Sequence, residues 1–312
     1  MSYALVMRIY DPVMQLIVMG RPVLVASAEP ALLAAVAAAY ADWRLTEPGD
    51  GPQIRLTLEA GDAADAGPVE IEVEGLRLQL SGGAEGWADA RALIACCKVS
   101  RDLMAQPGRL AGEVIDTLLL FLLTRSGRVP LHAAGVMCGE TALLLAGPSG
   151  SGKSTLSLAA NRRGLRILSD DTVYIQMLPR FRIWGLPRPA HVFPADAPGF
   201  IGETRLRAGK LKAVVPVRAW AGPPVAEQAA VVLLEQGERI GLEPVEPQVA
   251  ATVLSRLEPG FDLLARESAA AIAAVTAAGA WRLTLTRDPA AAVEALVERF
   301  GVAAVAADAV PR

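Results

Sequence analysis

Apolar and polar residues alternate with a period of two along Ile54-Arg55-Leu56-Thr57-Leu58, Val69-Glu70-Ile71-Glu72-Val73 and Leu76-Arg77-Leu78-Gln79-Leu80. That period predicts strands with one wetted face, and the last two, joined at Glu74-Gly75, predict a hairpin. Leu16 to Met19 and Val23 to Val25 predict short strands, while Pro30 opens an Ala-rich helix from Ala31 to Trp43. Two further helices are expected at Trp87 to Met104 and Leu110 to Ser126, parted by Gln106-Pro107-Gly108. We expect them to bridge an N-terminal α+β domain, residues 1–108, to a second domain, residues 109–312. No chemical constellation lies in the first part, so its expected role is partner recognition or packing.

Farther along, Val129 to Val136 predicts a strand, and Thr141 to Ala146 an apolar strand that is buried, joined to the first by a turn at Cys138-Gly139-Glu140. Leu165 to Leu168 predicts another short strand, Thr172 to Ile175 its continuation, and Phe181 to Trp184 a partner for that continuation. The stretch from His191 to Lys212, rich in Pro, Gly and basic residues, predicts a long loop of the lid or substrate-binding kind. Val214 to Val217, Ala230 to Leu234 and Trp281 to Leu285 predict strands, and Pro247 to Leu257 and Pro289 to Phe300 predict helices.

Composition narrows the classes. The chain has 312 residues, 53% hydrophobic and 20% charged, ample for a large buried core. A net charge of −3 implies no general attraction to nucleic acid or an anionic membrane. Cys96, Cys97 and Cys138 have neither metal-ligand spacing nor an even disulfide set, and Cys96-Cys97 is expected to be a pair of small helix residues. Met1 to Val6 lacks the pattern of a secretory signal, and the apolar run Leu118 to Leu123 falls far short of the ~20 residues that span a bilayer. A reducing cytoplasm is the expected compartment.

The chemistry centres on Gly147-Pro148-Ser149-Gly150-Ser151-Gly152-Lys153-Ser154-Thr155, a full match to the phosphate-loop pattern G-x-x-x-x-G-K-[ST]. It stands between a predicted strand and a predicted helix beginning near Leu156, which is the context the pattern requires. Glycines 147, 150 and 152 are expected to take positive φ, so that successive N–H groups and the helix N-terminus face phosphate oxygens. Lys153 would reach the β and γ phosphates, and the Ser154 hydroxyl would sit on Mg²⁺. Soon after come Asp170 and Asp171 at a strand end. One carboxylate of such a pair can hold Mg²⁺ while the other takes a proton from an incoming hydroxyl, and the sequence leaves open which does which. Upstream, His132 stands in a strand whose hairpin leads into the loop, near enough to be a catalytic candidate.

The ordered set of the His132 strand LHAAGV, the loop GPSGSGKST and then RRG-LRILSDD resembles the kinase domain of the bacterial HPr kinase/phosphorylase, and the shorter related proteins that include lasso-peptide serine kinases. The likeness is strong from Val129 to Val173 and loose elsewhere. It implies an α/β P-loop kinase core of HPr kinase/phosphoenolpyruvate carboxykinase type, preceded by a smaller α+β N-terminal domain. It further implies ATP and Mg²⁺ as ligands, Lys153 and the loop on ATP, Ser154 with Asp170 and Asp171 at the metal, His132 at the active-site histidine, and an aspartate as base for a serine hydroxyl. The implied partner is a serine-bearing protein or peptide, with homo-oligomerisation left open. A small-molecule kinase of this fold, or an ATP-binding regulator without phosphotransfer, would carry the same motifs. Two departures stand out: Phe181 to Pro189 contains no acid where the family has a metal-binding glutamate, and the family's arginine-bearing loop has only Arg188, Arg205, Arg207, Lys210 and Lys212 as candidates.

Overall fold

The computed structural model describes residues 13–41, 49–61, 67–186, 188–196, 202–207, 210–217, 224–257 and 264–301. The chain divides into two compact units, Met1–Arg128 and Val129–Arg312. This division lies beyond the expected 108, and the whole stretch expected to bridge the units, Trp87 to Ser126, falls within the first one.

In the first unit, β1 (Val13–Val18), β2 (Arg21–Ala26), α1 (Pro30–Ala39), β3 (Ile54–Gly61), β4 (Val69–Glu74), β5 (Arg77–Gly82), β6 (Ala84–Asp89) and β7 (Ile94–Ser100) follow one another. The strands form one seven-stranded sheet in the order β1-β2-β3-β7-β6-β5-β4. Short α2 (Arg101–Met104) and α3 (Pro107–Arg109) lead through a π-helical stretch at Leu110–Ile115 into α4 (Asp116–Thr124). The period-two segments are strands as expected, and β4 pairs with β5 as the expected hairpin. The expected helix from Trp87 to Met104 is instead the end of β6, β7 and α2. There Ala84 and Ala88 are buried while Glu85 and Trp87 are exposed, a period of two that the Ala-rich composition disguises. Asp89 makes the turn between these strands, its Oδ1 accepting from the N–H groups of Arg91 (2.8 Å) and Ala92 (3.2 Å). Cys96 and Cys97 therefore lie on a strand and not on a helix.

In the second unit, β8 (Val129–Leu131), β9 (Ala134–Cys138), β10 (Thr141–Ala146), α5 (Lys153–Arg162), β11 (Arg166–Ser169), β12 (Val173–Gln176) and β13 (Arg182–Trp184) come first. Then follow β14 (Ala190–Val192), β15 (Thr204–Arg207), β16 (Lys210–Val215), β17 (Val225–Ala226), β18 (Gln228–Gln236), β19 (Gly241–Pro244), α6 (Pro247–Leu257), α7 (Ala265–Ala277), β20 (Ala280–Leu285) and α8 (Pro289–Phe300). A six-stranded mixed sheet, β11-β9-β10-β18-β20-β19, holds β10 between antiparallel β9 and parallel β18. Leu143 and Leu145 of β10 pack on one face with α5 and α8, through Leu156, Ala160, Val293 and Leu296. Ala142, Leu144 and Ala146 pack on the other with a four-stranded sheet, β17-β13-β12-β8, and with α6 and α7. Both faces of β10 are dry, which is why its run is apolar without alternation.

Where a loop is expected from His191 to Lys212, the described residues form a three-stranded antiparallel sheet, β14-β16-β15. Its Ala190, Val192, Ala213 and Val215 are buried with Leu158 of α5, and this apolar face is what turns the segment into a sheet. The fold is mixed α/β with several sheets.

Candidate active site

Val129 to Val136 is not one strand. β8 belongs to the four-stranded sheet and β9 to the six-stranded sheet, with His132 and Ala133 at the change. A second chain segment changes sheets alongside it: β11 pairs with β9, β12 pairs with β8, and Asp170, Asp171 and Thr172 lie between. The register runs Ser169 against Gly135 on one side and Val173 against Leu131 on the other. Pairing on both sides leaves the two crossings nowhere to lie but beside each other. A Cβ on Gly135 would stand 2.9 Å from Val173 Cγ1 and 3.1 Å from Leu168 Cβ, so the close crossing needs glycine there. His132 Nδ1 consequently lies 3.6 Å from Asp171 Oδ1. Both side chains are partly open, 32% for His132 and 48% for Asp171, whereas Asp170 is buried.

The phosphate loop leaves the end of β10. Gly150 (φ 87°) and Gly152 (φ 104°) take the left-handed conformation, and Gly152 caps α5. Gly147, expected to do the same, is not among the positive-φ glycines; its smallness serves space instead, since a Cβ there would stand 2.6 Å from Ser151 Oγ. The Ser151 N–H donates to Pro148 O at 3.0 Å, closing the loop on itself. Gln236, the last residue of neighbouring β18, donates from Nε2 to Ser151 O at 3.0 Å. Ser149 and Thr155 occupy loop and first-turn positions as the motif requires.

Lys153 is 8% exposed, and its ammonium donates to Gly147 O (2.7 Å) and Pro148 O (3.4 Å). Burial pushes its pKa below the ordinary lysine value, against the opposing pull of Asp171 and then Asp170. Both carboxylates thus act electrostatically on the loop lysine. From the first turn of α5, Ser154 Oγ donates to Asp170 Oδ2 at 3.2 Å. The same oxygen accepts from the His191 main-chain N–H, also at 3.2 Å, so β14 helps to hold Asp170.

These residues suit a hard cation. A hydroxyl oxygen and a carboxylate oxygen already share a neighbourhood at the start of α5, and Mg²⁺ commonly takes one or two carboxylates with phosphate oxygens and water completing its shell. Among the described residues no group of three or more His, Cys, Asp or Glu side chains is gathered as a metal cluster.

The structure therefore gathers His132, Lys153, Ser154, Asp170 and Asp171 with the loop from Gly147 to Thr155. His191 joins through its backbone, a role with no trace in its side-chain identity. Gln236 escapes sequence reading, because a glutamine at the end of an apolar strand has no spacing that marks it. Gly185 lies just past β13, and a Cβ there would collide with the carbonyl of Leu168, two residues before Asp170. Arg188 and Lys212 lie on described segments, with Lys212 Nζ 3.3 Å from the centroid of the Phe193 ring. The side chains of Arg205, Arg207 and Lys210 lie outside the described residues.

No protein-family model matches the chain, and no curated protein matches it. Among solved structures, the Hpr(Ser) kinase/phosphatase from Coxiella burnetii is similar to it with a TM-score of 0.28 and 16% identity, over 55% of this chain and 87% of that one. Among the described residues no helix is long and apolar enough to cross a membrane.

Proposed function

We propose that the chain is an ATP-dependent phosphotransferase that phosphorylates a serine on a small protein or peptide. The observation that carries this is the difference in setting between two adjacent acids: Asp170 is buried against Ser154 Oγ at 3.2 Å, while Asp171 is half exposed beside His132. Asp170 with Ser154 supplies the oxygen donors for Mg²⁺, and Asp171 takes the proton of the incoming hydroxyl. When bound, Mg²⁺ neutralises charge on the terminal phosphate oxygens.

Phosphoryl transfer needs little covalent chemistry from a protein; it needs charge placed beforehand and an acceptor held in line. Loop amides after Gly147 and the Lys153 ammonium supply positive potential. Asp171 is open enough to meet an acceptor, and His132 Nδ1 stands 3.6 Å from its Oδ1. The family resemblance from Val129 to Val173 supports the same reading.

The test is incubation with ATP labelled on its terminal phosphate together with serine-containing peptides and small metabolites. Label on peptide serine is expected. Label confined to metabolites points to a small-molecule kinase, and nucleotide binding with no labelled acceptor points to a regulator.

A further inference from the structure

We propose that the outer edge of β4 is a docking strand for an extended polypeptide segment in which basic and apolar residues alternate. The inference concerns the first unit alone and is independent of the phosphotransfer proposed above.

β4 ends the seven-stranded sheet, and among the described residues no strand pairs with its outer edge. Its sequence, Val69-Glu70-Ile71-Glu72-Val73-Glu74, alternates without a break. Ile71 and Val73 stand in register with Leu80 and Leu78 of β5, which are 5% and 3% exposed. They thus extend the sheet's core-facing side, yet are themselves 54% and 46% exposed. The core face runs past its cover at this edge. On the opposite side Glu70, Glu72 and Glu74 form a row, with Ser81, Gln79 and Arg77 as their register partners on β5. Three acids therefore face one base across that pair of strands.

An open edge with an apolar row on one side and an acidic row on the other specifies its occupant. Main-chain hydrogen bonding asks for an extended segment, and alternate side chains set its specificity. The apolar row asks for apolar residues at every second position, and the acidic row asks for Lys or Arg between them. A second copy of β4 is a poor occupant. Any antiparallel register that keeps Ile71 and Val73 on their side sets glutamate against glutamate, which is destabilising. The row of acids thus works against self-association, as charged edges do, while remaining open to a cationic strand.

The full chain, without nucleotide, is titrated against three fluorescent peptides by anisotropy: lysine alternating with valine, glutamate alternating with valine, and the lysine-valine composition with its lysines made contiguous. Expected is binding of the first, weakened by salt, with the contiguous peptide at least about tenfold weaker and the glutamate peptide not bound. In the Glu70→Lys/Glu72→Lys/Glu74→Lys variant the preference should reverse toward the glutamate peptide. Glu72→Gln serves if the triple variant does not fold, and should weaken the first peptide severalfold. No binding, equal binding of the contiguous peptide, or unchanged binding by the variants overturns the proposal. So does a concentration-dependent dimer in sedimentation that dissociates in Ile71→Asp, since that assigns the edge to a second copy. Because no nucleotide is present, failure here leaves the phosphotransfer reading untouched, and the reverse holds too.

Discussion

His132 Nδ1 and Asp171 Oδ1 lie 3.6 Å apart although they are distant in sequence, because their two chain segments change sheets side by side. The pairing of β9 with β11 and of β8 with β12 brackets both crossings, so the contact follows from backbone register. Asp171→Asn should therefore leave the fold intact. Its melting temperature should stay within a few degrees of wild type, as surface substitutions usually change stability by no more than about 0.5 kcal/mol.

Gln236 ties the phosphate loop to β18 through a single donor on Ser151 O at 3.0 Å. Gln236→Leu removes that donor and keeps the bulk. Loss of one neutral hydrogen bond is worth about 1 kcal/mol, so nucleotide affinity should fall about fivefold. Isothermal titration with ATP and Mg²⁺ measures it, and an unchanged affinity would show that the loop needs no such tether.

Lys153 has a pKa lowered by burial. Between that lowered value and the ordinary one, the unfolded chain binds more protons than the folded chain, so stability should rise with pH through this window. Bound phosphates favour the ammonium, so nucleotide binding at alkaline pH should take up a proton and weaken as pH rises. Titration heats in two buffers of different ionisation enthalpy report the uptake, which Lys153→Met should abolish.

Cys97 is pushed up to about 12, chiefly by burial and then by Cys96 and Glu85, and burial raises Cys96 and Cys138 as well. At pH 8 the thiolate fraction of Cys97 is then on the order of 10⁻⁴. Iodoacetamide should label the native chain slowly and the denatured chain at all three cysteines, as mass spectrometry would show. Rapid native labelling of Cys97 would contradict its place in the buried face of β7.

Much of this is legible in the residues, for reasons that differ by element. Pro289 marks the start of α8, and the structure adds the Asp288 carboxylate as its cap, accepting from the Ala290 (3.0 Å) and Ala291 (3.3 Å) N–H groups. The strand, loop and helix around Lys153 follow from the dry run Thr141–Ala146 and from glycines that the loop's φ angles require. Alanine hides other features. In β6 it occupies core positions that a larger residue would advertise, and in α7 it masks the helical face that Ile272 and Val275 anchor. The break at His132 is illegible because both sides of it are apolar; only sheet pairing tells β8 from β9. The small sheet that includes His191 is hidden by prolines and basic residues, since its buried face needs only alternate positions.

The division between the two acids is tested most directly by measuring, for Asp170→Asn and Asp171→Asn, both Mg²⁺-dependent nucleotide affinity and the rate of phosphate transfer to a peptide serine. Asp171→Asn should bind nucleotide as wild type does and transfer about 10²–10⁴-fold more slowly, while Asp170→Asn should lose the Mg²⁺ dependence of binding. Transfer at the wild-type rate by Asp171→Asn, or Mg²⁺-dependent binding unchanged in Asp170→Asn, would contradict that division.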